Sequence, residues 1–211
     1  MKKLATLALV LALCVSMTGC GKNNKEAIKN AVDSYFTAMQ AGDVQALSAA
    51  CEEGYSDEMG LVDFEKTLDE SFGGDEMGEV FQTEAKDFFK NVVGKVIKEY
   101  TLVSAEEKDG EAYAVVNIKQ LDFDSIDFST ASEEFALLGQ TYALEHMDEL
   151  LEVMQNEGEA AMQQKLTDAL APQLFDKMEE IVAAAPYVDT TLKVTVVDHG
   201  DKWLISGVYE Q

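Results

Sequence analysis

What most constrains this chain is a double change of hydrophobic period. Residues 95–105 and 111–121 are rich in Val, Ile and Tyr, and Lys108-Asp109-Gly110 between them supplies a turn, so the pair reads as a β-hairpin. Residues 190–198 and 202–209, joined by His199-Gly200-Asp201, read as a second hairpin. Residues 132–185 between the two hairpins have a helical period throughout. Met162, Leu166, Leu170, Leu174 and Met178 fall at steps of four there, continued by Ile181 and Ala185. Strands separated by a long helical block predict an α+β fold rather than a sandwich or a parallel sheet.

The N-terminal part is helical too. Ala27, Ala31, Tyr35 and Met39, with Ile28, Val32 and Phe36 beside them, predict an amphipathic helix over 24–40. Ala41-Gly42 ends it, and Asp43 can cap a short second helix to about residue 52. Residues 53–60 read as an acidic loop and 61–72 as a helix carrying Phe64, Leu68 and Phe72. Gly73-Gly74 breaks that helix, and another follows from about residue 76 with Val80, Phe81, Ala85, Phe88 and Phe89. In the block between the hairpins, one helix opens with Ser132, Phe135, Leu138 and Tyr142 and stops at Asn156-Glu157-Gly158. A second follows, which Pro172 is expected to kink or split. The two are expected to pair as a helical hairpin.

At its start, Lys2 and Lys3 precede an apolar run over 4–15, too short to span a bilayer. Met17-Thr18-Gly19-Cys20 follows and resembles the lipobox of bacterial lipoproteins. The resemblance implies cleavage before Cys20 and a diacylglycerol thioether on that cysteine. It divides the chain into a signal peptide (1–19), a lipidated tether (20–25) and a single α+β domain (26–211) with a helical insertion at about 130–186. The implied location is the extracytoplasmic face of the cell membrane, with more than one acyl chain for a stable anchor. Cys14 would leave with the signal, and Cys51 would remain alone. No internal disulfide is then possible, so the fold must rest on its core. Cys51 itself reads as a buried small hydrophobe.

Charge restricts the partners. The chain has 40 acidic and 16 basic residues, a net charge of −24, and every basic residue is a lysine. A strongly anionic protein without arginine lacks the fork that grips phosphate and repels polyanions, so nucleic acid is excluded as an expected partner.

Tyr35-Phe36-Thr37-Ala38-Met39-Gln40-Ala41-Gly42-Asp43, followed much later by the His199-Gly200-Asp201-Lys202-Trp203 turn and strand, resembles the nuclear transport factor 2-like (cystatin-like) superfamily. The resemblance covers about 24–121 and 187–211. It implies N-terminal helices packed on a curved antiparallel sheet that makes a cone-shaped cavity, with the helical hairpin inserted between the two β-hairpins. That superfamily hosts enzymes and plain binding modules, so the fold alone assigns no activity.

Tests for chemistry return little. His146 with Glu149 at i+3 lacks the further ligands of a zinc site, and His199 sits in a turn. Asp122 and Asp124 match positions 1 and 3 of a twelve-residue calcium loop and Glu133 matches position 12. However, Ile126 falls at position 5 and Asp127 at position 6, where glycine is required. An irregular calcium site from Asp122, Asp124 and Asp127 is the remaining metal candidate, and no cofactor is expected. If a cone cavity exists, Tyr35, Tyr100, Tyr113, Asn117 and Trp203 are the residues expected to line it, or else they are simply core. With no complete catalytic set, the expected role is a non-catalytic module at the cell envelope that binds a small apolar ligand or an envelope protein. Two alternatives stand beside it. One is a cavity isomerase, dehydratase or hydrolase using a buried carboxylate or Tyr. The other is a scaffold that docks a partner through the helical insertion, which requires an exposed apolar patch within 132–185.

Overall fold

Apolar residues at helical spacing make helix α1 (Asn24–Gln40), which buries Ile28, Val32, Tyr35, Phe36 and Met39 along one side. The computed structural model describes residues 24–55 and 78–211. The helix expected over 61–72 lies outside them, as do residues 1–23. After α1 the chain reverses at Gly42, whose positive φ of 63° suits glycine, and whose Cα faces the carbonyl of Lys90 too closely for a Cβ. Asp43 then caps α2 (Val44–Ala49) by accepting the Ala46 N–H at 2.9 Å.

Four strands form one antiparallel sheet in the order β1 (Ile97–Lys108), β2 (Glu111–Leu121), β3 (Tyr187–Asp198), β4 (Trp203–Glu210). The first hairpin turns on Asp109 and Gly110 with φ of 56° and 85°, both positive as a two-residue type I′ turn requires. The second closes through Gly200 at φ 87°, whose N–H is accepted by Asp198. Alternation puts Ala112, Ala114, Val116, Ile118, Leu192, Val194 and Val196 on the face that packs on α1. Cys51 is buried, as expected, and pairs with Ile205 in an isolated parallel bridge, so the chain after α2 runs beside β4.

Helix α3 (Glu79–Val96) runs directly into β1. Lys95, expected in the strand, belongs to the last helical turn, and Val80 is exposed while Phe81 and Ala85 are buried. Between the hairpins the chain makes three helices instead of two: α4 (Ser129–Glu145), α5 (Met147–Glu157) and α6 (Glu159–Ala184). The unforeseen break is at His146, which leaves helical geometry while its ring stacks on Tyr142 at 4.1 Å. The predicted stop at Gly158 occurs, at φ 96°. Helix α6 is not split by Pro172 and is assigned as one helix from Glu159 to Ala184. It packs along α3, with Phe175 against Phe81 (5.2 Å) and Phe88 (5.6 Å). Helices α4 and α5 in turn lie against α6.

Polar contacts join α3 to α6 at both ends: Asn91 donates to Glu179 at 2.7 Å and Lys95 pairs with the same carboxylate at 3.6 Å, while Asp168 meets the start of α3. The start of α3 has no capping side chain of its own, because Gly78 stands at the N-cap. Asp168 of α6 supplies the cap, accepting the Phe81 N–H at 3.0 Å. A Cβ at position 78 would occupy the place of that carboxylate, so glycine there is a requirement of the contact.

Two stability predictions follow from these contacts. Asp168→Ala removes the acceptor of the Phe81 N–H and costs about 0.5–2 kcal/mol in denaturant unfolding, whereas Glu159→Ala, at the far end of α6, changes little. Phe36→Ala empties the centre of the sheet–helix core, where Phe36 stacks on Tyr100 at 4.9 Å, and costs about 3–5 kcal/mol in the same assay.

Candidate functional site

The residues expected to line a cavity divide between the two faces of the sheet. Tyr35 is buried in the core and meets Phe36 edge-on at 5.2 Å. Tyr100 lies on the same face, stacked on Phe36. Tyr113 and Asn117 lie on the other face, and the expectation for them is corrected. They are offset by one residue from the buried Ala112, Ala114, Val116 and Ile118, and a single-residue offset in a strand reverses the face. On that outer face Tyr113 donates to Glu106 (3.2 Å) and carries the Lys193 ammonium over its ring at 4.7 Å. Desolvation, and next the hydrogen bond to Glu106, hold its phenol above the ordinary tyrosine value. Asn117 accepts from the Thr191 hydroxyl at 3.0 Å.

Trp203, the chain's single tryptophan, is half-buried and borders a groove of about 480 Å³ between α1, α2 and the start of β4. Ala27, Ala31, Ala46 and Ala49 floor it, with Ser34 and Lys202 beside them. The groove is open to solvent and lies apart from Tyr35 and Tyr100, which fill the sheet–helix core.

The acidic segment after β2 forms a short 3-10 turn, Phe123–Ser125. Asp127 accepts the Ser129 N–H at 2.8 Å at the start of α4, and that bond holds its carboxyl below the ordinary aspartate value. Asp122 accepts the Ser125 hydroxyl through its main-chain oxygen. Among the described residues no three His, Cys, Asp or Glu side chains converge as metal ligands. The core there contains one polar residue, Thr195, and no carboxylate.

Among the described residues, exposed large apolar side chains concentrate on α4 and α5. Leu137 (65% exposed) and Leu144 (69%) stand seven residues apart on α4. Met147, Leu151 and Met154 repeat at i, i+4 and i+7 on α5, and all three are exposed. Among the described residues of these two helices, only Ala131 and Leu150 are buried. The sequence contains this signal, because leucines and methionines recur along the two helices. Helix α4 is apolar on several sides, a pattern normally buried, and α5 has an apolar stripe opposed by acids, yet both expose large apolar side chains while lying against α6.

Ion pairs hold them there. Lys165 of α6 bonds Glu149 at 2.5 Å, and Lys177 bonds Glu134 at 3.2 Å. His146 Nδ1 lies 3.1 Å from the same Glu149. These pairs are exposed, so each contributes little to stability and serves mainly to set position. Lys165 and then His146 hold the Glu149 carboxyl below the ordinary glutamate value.

No family model matches the chain, no curated protein matches it significantly, and no solved structure matches it. Function is therefore read from this chain's own geometry.

The pairing of Glu149 predicts a pH effect. A carboxyl depressed in the fold stabilises above its unfolded pKa of about 4.3, and that stabilisation is lost as pH falls through the lower folded value. Hydrogen-exchange protection over 147–157 is expected to fall below about pH 4 ahead of protection in β2, and Glu149→Gln removes the difference.

Proposed function

We propose that this chain is a lipid-anchored extracytoplasmic lipoprotein, a non-catalytic module that docks another protein at the cell envelope through helices α4 and α5. The lipobox Met17-Thr18-Gly19-Cys20 supports the anchor, with Cys20 as the lipidated residue. No helix among the described residues is long and apolar enough to cross a membrane, so any attachment through them is not by a helical span. The core corresponds in this reading to the cystatin-like cone, with 130–186 as its insertion. Supporting that correspondence, β1 carries register shifts at Ile97/Glu99 and Leu102/Ser104, and bulges of this kind bend an antiparallel sheet.

The observation that carries the docking role is the solvent-facing apolar surface of Leu137, Leu144, Met147, Leu151 and Met154, with α6 filling only the opposite side. A surface of this kind in a monomer marks an interaction site more often than an accident of packing. The inner side of the sheet, by contrast, is occupied by Phe36, Tyr35 and Tyr100. The groove beside Trp203 favours a second reading, in which the module holds a small apolar ligand there.

Two results test the proposal together. Cys20→Ala is expected to abolish incorporation of labelled palmitate and to move the protein from the membrane to the soluble fraction. A photo-cross-linking residue at position 144, introduced in living cells, is expected to yield one discrete adduct, and the same residue at position 103 on β1 none. A Cys20→Ala protein that still fractionates with membrane and carries label contradicts the anchor. Equal adducts at both positions, or none at 144, contradict the docking face.

A further inference from the structure

We infer that the partner presents a cationic amphipathic helix, an apolar stripe bordered by Lys or Arg, to the face formed by α4 and α5. This inference rests on the docking role just proposed and adds the chemistry of the occupant.

Charge selects it. Residues 129–157 contain Glu133, Glu134, Glu145, Asp148, Glu149, Glu152 and Glu157, all exposed, and no lysine. The two lysines that reach these helices, Lys165 and Lys177 of α6, are bonded to Glu149 and Glu134. The acids that border the exposed leucines and methionines therefore have no basic neighbour on their own helices. A partner that buries the apolar surface must bring positive charge to its rim, since like charges across an interface cost several kcal/mol. The same requirement disfavours the two other obvious occupants. A second copy would bring its own seven acids and a net charge of −24 against this one. An anionic bilayer would set its headgroups against the same carboxylates.

Spacing selects a helix. Apolar side chains recur at i, i+4 and i+7 on α5 and at i, i+7 on α4. Such ridges accept the complementary i, i+3/i+4, i+7 anchors of a helix laid along them. Met147 and Met154 add flexible thioethers that adapt to differing apolar side chains.

The test uses the purified full mature chain in mild detergent and three synthetic peptides of about five helical turns. The first has a leucine stripe with lysines on its polar face. The second has the same stripe with glutamates, and the third has the composition of the first in scrambled order. Fluorescence anisotropy reads affinity, and hydrogen exchange reads the site. The first peptide is expected to bind, to protect 129–157, and to weaken as salt rises from about 0.05 to about 0.5 M. The other two peptides are expected to bind at least about tenfold more weakly. Leu137→Asn with Leu144→Asn, both solvent-facing and compatible with the fold, weakens binding by about tenfold or more. Glu145→Lys with Asp148→Lys reduces both the affinity and its salt dependence.

Equal binding of the scrambled peptide, or binding indifferent to the leucine variants, overturns the inference in favour of diffuse charge attraction. Protection of 129–157 by self-association, or by vesicles of phosphatidylglycerol and phosphatidylethanolamine, assigns the face to a second copy or to lipid and overturns it as well. A discrete cross-link from position 144 in cells, combined with no binding of the lysine peptide, leaves the docking role standing and rejects the partner chemistry alone.

Discussion

The position of everything between the two hairpins depends on the contact between α3 and α6. Phe175 sits against Phe81 and Phe88, and Asp168 closes the open amide at the start of α3. That pairing gives α6 a fixed seat beside the sheet domain, because α3 runs without interruption into β1. Among the described residues, α4 and α5 lie chiefly on α6. The sheet's inner face is already taken by α1, so α4 and α5 are not packed on it.

Polar and apolar contacts divide the work. The sheet–helix core is held by burial, centred on Phe36 and on the valines of β2 and β3, with Cys51 packed at its edge. The outer helices are positioned instead by exposed lysine–glutamate pairs of small individual value. A layer held this weakly, and exposing its apolar side chains, has more to gain from a partner than a layer sealed against the core. Under the proposed docking role, the high negative charge would act on the choice of partner rather than on the fold.

Much of this was legible in the residues. The periods of 24–40, of 95–105 with 111–121, and of 190–198 with 202–209 announced a helix and two hairpins, and Gly42, Asp109-Gly110 and Gly158 marked real reversals. What was not legible had specific causes. The break at His146 carries no glycine or proline and comes with a stacking contact to Tyr142, a local event that periodicity does not record. Pro172 did not divide α6 in two, since a helix continues past a proline where its neighbours hold it, here Ala171 and Phe175 in the α3 contact. Tyr113 and Asn117 were misassigned because Tyr and Asn suit either face, and only the register beside Ala112 and Val116 decides between them. Exposure of Leu137 and Leu144 could not be read from a stripe, because α4 is apolar on several sides and its packing on α6 distinguishes inside from outside.

The central claim is that α4 and α5 form a face that another protein covers at the envelope. Comparing hydrogen exchange of the chain in membranes prepared from its own cells with that of the purified chain in detergent tests this most directly. The account predicts slower exchange over 129–157 in the native membranes, with α1 and the strands unchanged. Identical exchange over 129–157 in the two preparations would contradict it.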